Sequence, residues 1–301
     1  MKKLVLFILC VVCILCLCSC IRFNIRNSYA DSNKYTPGSF SYRAKDVSKI
    51  SISYISGDVT IIQSNNGNLN VTETEKGLSD AQKVHWYLDG HTLRIKFCKS
   101  GYSGRIPQNS KNLTVEIPYG IELEVGITSG DVKFATDIEV KRADFGATSG
   151  DFKANVIKTG SLAYGATSGS ISISALYADS ANFGQTSGNV SVSLIHADRI
   201  AFGSTSGSTT LSEIYASEVI GGATSGNVTL SFEFCEKLKV DCTSGNITIK
   251  KLPANGATIT YDKTSGKLRT GNYMVKNDRI VFGDGGCVTT IVTTSGDLII
   301  E

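Results

Sequence analysis

Nine cysteines and three histidines are the residues of this chain best suited to bind metal or to act as nucleophile or base. Their spacing favours neither chemistry. The histidines, His85, His91 and His196, are dispersed, and after residue 20 neither His-Glu-x-x-His nor Cys-x-x-Cys occurs. Those spacings are the ones that bring zinc ligands together. The sequence therefore predicts no metal site, no cofactor and no histidine-centred catalysis.

Five of the cysteines lie in the first twenty residues, in a segment with the features of an export signal. Two lysines precede an apolar run from Leu4 to Leu17, and the segment ends Leu17-Cys18-Ser19-Cys20. This ending resembles the bacterial lipobox, which implies cleavage before Cys20 and lipidation of that residue. An uncleaved signal anchor is the alternative, because the segment is marginally long enough to span a bilayer. Both interpretations export the chain, and the first anchors it to the outer face of the cell membrane.

Four cysteines lie beyond this segment: Cys98, Cys235, Cys242 and Cys287. An exported chain favours disulfides. Cys235 and Cys242, however, align with alanine and serine in neighbouring copies of the repeat described below. They occupy positions for small inward side chains, where a free thiol behaves as a small hydrophobic group. We therefore expect them to be buried thiols.

One column of the repeat carries aromatic rings. Tyr177, His196, Tyr215 and Phe234 each stand ten residues after a repeated threonine, in four successive copies. Rings that point outward would form a strip about 14 Å long at the spacing of neighbouring strands. Such a strip would suit stacking on sugar rings or contact with a partner protein. Rings that pack only against each other at a corner are the alternative.

Acidic residues are scattered rather than clustered. Asp144, Asp179 and Asp198 recur near predicted corners and could bind calcium weakly, but the nonapeptide of calcium β-rolls is absent. The repeats also lack Gly-x-Ser-x-Gly, the nucleophile motif of many hydrolases. The formal net charge of +3 falls to about +1 without the two signal lysines, so nucleic acid is not an expected partner. The sequence favours a protein that is not an enzyme.

A repeat must position these residues. Thr-Ser-Gly recurs nine times from Thr128 to Thr294, in steps of 20, 19, 19, 19, 19, 19, 21 and 30 residues. Each copy contains two alternating apolar and polar segments, which are typical of short strands. Units this small must stack to bury their apolar faces. We predict an all-β fold: a β-solenoid (β-helix) of about eight 19–21-residue coils with β-rich N- and C-terminal caps.

Two columns of apolar residues predict internal ladders in this stack, and the turns predict its corners. We expect the glycine of each Thr-Ser-Gly to adopt a positive φ. We expect the Asn or Asp that follows most of these glycines to bond the backbone of its own turn. The columns are Ile171, Val190, Val228 and Ile247, and Phe145, Tyr164, Phe183, Phe202 and Val240.

The sequence divides into five predicted segments. Residues 1–19 are the lipoprotein signal peptide, and residues 20–38 hold the lipidated cysteine and a polar, flexible tether. Residues 39–126 form a β-rich N-terminal cap, 127–270 the Thr-Ser-Gly solenoid, and 271–301 a C-terminal cap. Caps are expected because an open sheet edge would pair with another chain.

Three further motifs accompany the repeat: Ser56-Gly57-Asp58-Val59, the Val115-Glu-Ile-Pro118 strand, and a closing Thr-Ser-Gly-Asp-Leu-Ile-Ile at 294–300. Together they resemble a group of bacterial proteins of unknown function named "putative adhesins", over about residues 50–301. The resemblance implies a β-helical fold at the cell envelope and supplies no catalytic residues.

The preferred interpretation is a non-catalytic, lipid-anchored envelope protein that presents an extended surface for adhesion or partner binding. Its expected partners are the membrane, through Cys20, and an envelope protein or a glycan. An accessory lipoprotein of an envelope-stress or signalling system is one alternative. A glycan-active β-helix enzyme is the other.

Overall fold

The structure, a computed structural model, describes residues 28–106, 111–271, 273, 275–276 and 279–301. Within these residues the helical segments are two short 3-10 helices, Ser32–Lys34 and Ala44–Asp46, and the other regular elements are strands. No helix in the described part of the chain has the length and apolar character needed to cross a bilayer. The described residues fall into two compact units, an N-terminal unit up to residue 162 and a C-terminal unit from residue 163.

The first ten strands of the N-terminal unit are short, because polar and turn residues interrupt its apolar alternation every few positions. The boundary between the units falls within its last strand, β12. The strands are β1 (Thr36–Pro37), β2 (Phe40–Arg43), β3 (Lys49–Tyr54), β4 (Val59–Gln63), β5 (Asn68–Glu73), β6 (His85–Asp89), β7 (Thr92–Lys96), β8 (Leu113–Ile117), β9 (Glu122–Ile127), β10 (Val132–Phe134), β11 (Ile138–Ala147) and β12 (Phe152–Ala166).

Pairing in the N-terminal unit mixes stacked layers with hairpins. Strand β9 lies parallel between β3 and β11, and β10 lies parallel between β4 and β12. The sequence Ser56-Gly57-Asp58 is the turn between β3 and β4, and it stacks beneath the first Thr-Ser-Gly turn. Antiparallel pairs, such as β6 with β7 and β5 with β8, complete the unit.

The C-terminal unit contains four strands of equal length, each of 15 residues. These are β13 (Ile171–Gln185), β14 (Val190–Ser204), β15 (Thr209–Ala223) and β16 (Val228–Cys242). Shorter strands follow: β17 (Ile247–Lys251), β18 (Ala257–Lys263), β19 (Leu268–Arg269), β20 (Val275–Lys276), β21 (Arg279–Phe282), β22 (Cys287–Thr293) and β23 (Leu298–Ile300).

The four long strands pair in parallel with the repeat period. Ile171 lies beside Val190, and Phe183 beside Phe202. Both predicted inner columns are therefore present in these strands, and their side chains are buried. Gly221 continues the column of Phe183 and Phe202, and its missing side chain makes room for the Phe202 ring. Stacked parallel layers in an all-β chain confirm the predicted β-solenoid class; the number of coils stays a prediction.

The Thr-Ser-Gly turns stack as a backbone ladder. The N–H of Ser206 donates to the carbonyl of Thr186 at 2.7 Å, and the equivalent bond recurs between successive layers. A Cβ on Gly207 would overlap the carbonyl oxygen of Gly188. Only Gly130 and Gly266 of the nine Thr-Ser-Gly glycines have a positive φ. The predicted reason for glycine was therefore wrong at most turns: the close approach of the next backbone excludes a side chain there.

The Asn and Asp residues after these glycines also act between layers. The N–H of Asn246 donates to Oδ1 of Asn227 at 3.0 Å, and the N–H of Asp297 donates to Oδ1 of Asn246 at 2.9 Å. The N-terminal unit shows the same bond from Asp131 to Asp58. The expectation of bonds within each turn was wrong at these positions, because the side chain reaches the neighbouring layer instead.

The last two turns do not stack in chain order. Strand β23 lies between β17 and β19, and β22 lies between β16 and β18. The turn at Thr294 therefore contacts the turn at Thr243 on one side and the turn at Thr264 on the other. Residues 287–300 of the predicted C-terminal cap thus lie between strands that precede them in the chain. The five predicted domain boundaries stay predictions.

Candidate partner-binding surface

The four ring-bearing residues singled out in the sequence lie side by side on β13 to β16. The register pairs Tyr177 with His196, His196 with Tyr215, and Tyr215 with Phe234. Strand alternation directs them outward, as at His196, whose neighbours Ile195 and Ala197 are buried. We call Tyr177, His196, Tyr215 and Phe234 the aromatic strip.

Three rings of the aromatic strip stack in a row, and the strip still faces solvent. The ring centroids of Tyr177 and His196 are 5.4 Å apart with an interplanar angle of 27°, and those of His196 and Tyr215 are 4.1 Å apart at 16°. Tyr177, Tyr215 and Phe234 are 39%, 39% and 38% exposed. Both interpretations of the column therefore hold in part: the rings pack as a ladder, and the ladder is a surface.

Stacking decides which parts of the rings a partner can reach. The facing sides of His196 and Tyr215 cover each other, so the strip presents mainly ring edges and two tyrosine hydroxyls. Sugars bind to aromatic residues through an open ring face. The geometry is therefore better suited to a protein partner than to a sugar chain lying along the strip.

An acidic column runs beside the aromatic strip. Asp179, Asp198 and Glu236 each follow a strip residue by two positions and are exposed. Among the described residues, none of the three forms an ion pair. We call Asp179, Asp198 and Glu236 the acidic column. Its carboxylates are free to attract a cationic partner.

The two basic residues of the next column share one carboxylate. Glu218 binds Arg199, with Nε to Oε2 at 3.2 Å, and Lys237, with Nζ to Oε1 at 2.6 Å. The hydrogen bond from Lys237 is the main cause that lowers the pKa of Glu218, and Arg199 adds to it. The face around the aromatic strip is thus locally acidic.

The four later cysteines are buried thiols in this structure, and none is joined in a disulfide. Cys235 lies beside Ala216 and Cys242 beside Ala223, the small inward positions expected of them. Burial raises the pKa of Cys242 to about 12. A hydrogen bond to the Cys287 thiol, together with burial, raises the pKa of Cys235. Neither Cys235 nor Cys242 is a thiolate at neutral pH.

The remaining candidate residues are dispersed. His85 and His91 belong to the N-terminal unit, where each Nδ1 lies 2.9 Å from a backbone carbonyl oxygen. Asp144 binds Arg142 at 2.7 Å. No group of three or more His, Cys, Asp or Glu residues that could hold a metal occurs in the described ranges. Cys20 lies outside the described residues.

Sequence reasoning missed the acidic column as part of this surface. It noted Asp179 and Asp198 only as possible corners for calcium. The signal was present, since the acidic position follows the aromatic position by two residues in three of the four copies. Residues two apart in a strand share a face.

The comparison with protein families decides the identity of the fold. A family model described as Toastrack DUF4097 matches residues 47–301, which is most of the chain. The chain belongs to the Toastrack DUF4097 family. This match confirms the resemblance drawn from the Ser-Gly-Asp/Asn turns. None of the curated proteins matches the sequence.

Solved structures share the Toastrack fold at low identity. A "putative lipid binding protein" from Parabacteroides distasonis ATCC 8503 is 17% identical, with a TM-score of 0.58 over 88% of this chain and 97% of that one. A "putative adhesin" from the same strain is 13% identical, with a TM-score of 0.53 over 89% and 97%. A "putative adhesin" from Parabacteroides merdae ATCC 43184 is 14% identical, with a TM-score of 0.51 over 89% and 96%. Likeness at this identity shows the fold alone.

Proposed function

We propose that this protein is a non-catalytic, lipid-anchored binding protein of the cell surface, whose aromatic strip docks a basic segment of an envelope protein. The observation that carries the proposal is a row of four rings in register, three of them exposed, beside an acidic column that forms no ion pair with the described residues. The Toastrack relatives named as adhesins support a role in binding outside the cell.

The strip has the physical properties of a binding site. Aromatic side chains dominate the binding energy of many protein interfaces. Here the ladder of parallel strands holds them in place, so little conformational entropy is lost on binding. Its length of about 14 Å matches an extended partner segment of about four residues.

The acidic column suggests the charge of that segment. Lysine or arginine side chains from a partner could reach Asp179 and Asp198 while their stems lie along the ring edges. An accessory lipoprotein of a signalling system would use the surface in the same way, with a membrane protein as the partner.

The test compares strip variants with a matched surface aromatic. We expect the double change Tyr177→Ala and Tyr215→Ala to weaken binding to a lysine- and arginine-rich peptide at least about tenfold. Tyr119→Ala is the control, because Tyr119 is an exposed ring of the N-terminal unit, 54% accessible. Fluorescence anisotropy of the labelled peptide measures the affinity, and circular dichroism checks the fold.

Charge variants separate a basic protein partner from a glycan. Asp179→Asn with Asp198→Asn should weaken peptide binding and flatten its salt dependence. Unchanged peptide binding in folded strip variants would refute the role of the strip. Salt-independent binding of neutral cell-wall oligosaccharides, lost in the same variants, would favour the glycan alternative.

The lipid anchor is tested separately. We expect labelled palmitate to be incorporated into the full chain in cells and lost in the Cys20→Ala variant. Incorporation that survives Cys20→Ala would refute anchoring through this residue, and the proposal for the strip would be unaffected.

A further inference from the structure

A small cavity lies in the N-terminal unit, over the outer face of the β6–β7 hairpin. Its volume is about 200 Å³, below the roughly 300–1,000 Å³ of pockets for drug-sized ligands. Its walls include three tyrosines, two basic residues and two acidic ones: Tyr29, Tyr35, Tyr87, Arg94, Lys96, Asp31 and Asp89. The space suits a single small ring.

The tyrosines form an apolar wall on one side. The ring centroids of Tyr29 and Tyr35 are 4.6 Å apart, and those of Tyr35 and Tyr87 are 5.4 Å apart. Both pairs are tilted, at 53° and 50°. Tilted rings leave parts of their faces open to a ligand, unlike the stacked rings of the aromatic strip.

The charges of the cavity are only partly balanced. Arg94 Nε binds Asp89 Oδ2 at 3.0 Å, and Lys34 Nζ binds Asp31 Oδ1 at 3.1 Å. Lys96, in contrast, has no carboxylate within ion-pair distance among the described residues. Its ammonium donates to the hydroxyl of Ser53 at 2.9 Å.

The surroundings of Lys96 make it unfavourable for its ammonium to lack a carboxylate partner. Lys96 is partly buried, and burial is the main cause that lowers the pKa of its ammonium, with the charge of Arg94 adding to it. Glu124 acts on this pKa in the opposite direction, but it is held by Lys49, with Nζ to Oε2 at 2.6 Å. A partly desolvated cation without an anion gains strongly from one that enters the cavity.

A cationic ligand fits the cavity poorly, although three tyrosines could suggest an aromatic cage. Lys34 Nζ already lies 5.7 Å from the centroid of the Tyr87 ring, and Lys96 Nζ lies 5.8 Å from that of Tyr29. These cations occupy the positions that a quaternary ammonium group would take.

We propose that this cavity binds a carboxylate or phosphate group carried on a sugar-sized ring, with the anion at Lys96 and Arg94 and the ring against the tyrosines. The site is distinct from the aromatic strip and does not depend on the function proposed for it. Uronic acids and sugar phosphates share the required chemistry.

Binding of matched sugars to the purified full chain tests this site. Glucuronate and glucose 6-phosphate are the anionic probes, and glucose and choline are the neutral and cationic comparisons. For a ligand of this size we expect a Kd on the order of 1 mM for at least one anionic probe. Glucose and choline should bind at least about tenfold more weakly. Isothermal titration calorimetry measures all four, and the stronger anionic probe identifies the source of the anion.

Two variants and a control locate the site. Lys96→Met keeps the aliphatic stem and should weaken the anionic probe at least about tenfold. Arg94→Gln should weaken it as well, which keeps the test valid if one variant fails to fold. Lys133→Met changes an exposed lysine of β10 and should have no effect. Equal binding of glucose and glucuronate, preference for choline, no binding at all, or equal affinities for Lys96→Met and Lys133→Met would each overturn the proposal.

Discussion

The two units reach stacked β-layers by different means. In the C-terminal unit, β13 to β16 have the same length, and the same backbone contact recurs at each turn. In the N-terminal unit, β1 to β10 have only two to six residues, and antiparallel pairs accompany the parallel layers. The N-terminal unit also buries an ion pair between Lys111 and Glu73, at 3.0 Å.

The difference shows where the stability of each unit lies. Each layer of the C-terminal unit repeats the same turn. A substitution in one turn therefore disturbs the backbone hydrogen bonds that join that turn to the layers on either side. A unit of unequal strands depends on individual contacts that hold particular segments together. Substitutions in the turn and in the buried ion pair should therefore lower the free energy of unfolding for different reasons.

We expect the largest effect from Gly207→Ala in the turn ladder. The new Cβ would overlap the carbonyl oxygen of Gly188, which belongs to the backbone and cannot turn away as a side chain could. Relief requires the layers to separate, which breaks the bond from Ser206 to Thr186. The loss of unfolding free energy should be about 4 kcal/mol or more, measured by urea denaturation.

Gly271→Ala is the matched control for that substitution. Gly271 has a φ of 54°, and its nearest contact for a new Cβ is an ordinary 3.6 Å. It should cost only the left-handed backbone penalty, about 1–2 kcal/mol. Equal costs for Gly207→Ala and Gly271→Ala would contradict the close-approach explanation of the repeated glycine.

In the N-terminal unit, Lys111→Met should be nearly as severe. The Lys111 ammonium binds Glu73, donates to the carbonyl of Phe97 and lies 3.9 Å from the centroid of the Phe97 ring. Its removal leaves a carboxylate buried without a cation, at a cost of about 3–5 kcal/mol. The double change with Glu73→Gln should recover part of this loss. A Lys111→Met variant as stable as the wild type would show that the pair does not hold the unit together.

A smaller effect is expected where two side chains share one space. A Cβ on Gly221 would overlap the ring of Phe202, but the ring can move, so Gly221→Ala should cost about 1–3 kcal/mol. Phe202→Leu in the same chain should relieve the clash, giving a double variant less destabilised than the sum of the single ones. Additive costs would indicate that the two positions do not compete for volume.

Sequence reasoning reached the repeated layers because their signal is periodic. The inner column through Ile171 and Val190 and the outward strip at Tyr177 both follow from the 19-residue step. The position of β23 between β17 and β19 did not follow, because it depends on pairing between segments far apart in the chain. The Lys111–Glu73 pair and the tyrosine cavity are equally nonlocal, and each residue alone has no distinguishing pattern.

The smallest predicted effect is a pH dependence from His85 in the N-terminal unit. Burial is the main cause that lowers the pKa of His85 below its usual 6.5, and Lys111 and Lys99 add to it. The carbonyl of Lys83 and the carboxylate of Asp80 act in the opposite direction. Below pH 6.5 the unfolded chain therefore binds a proton that the folded chain does not.

The contribution of neutral His85 to the free energy of unfolding is thus fully present above pH 6.5. It is lost as the pH falls from there to the pKa of His85 in the folded chain. The slope is at most about 1.4 kcal/mol per pH unit. Urea denaturation of wild type and His85→Gln at pH 7, 6 and 5 measures it, because glutamine removes this titration and leaves the others. Wild type should lose more stability than His85→Gln over this range. Identical losses would mean that the folded N-terminal unit accepts the proton on His85 as readily as the unfolded chain does.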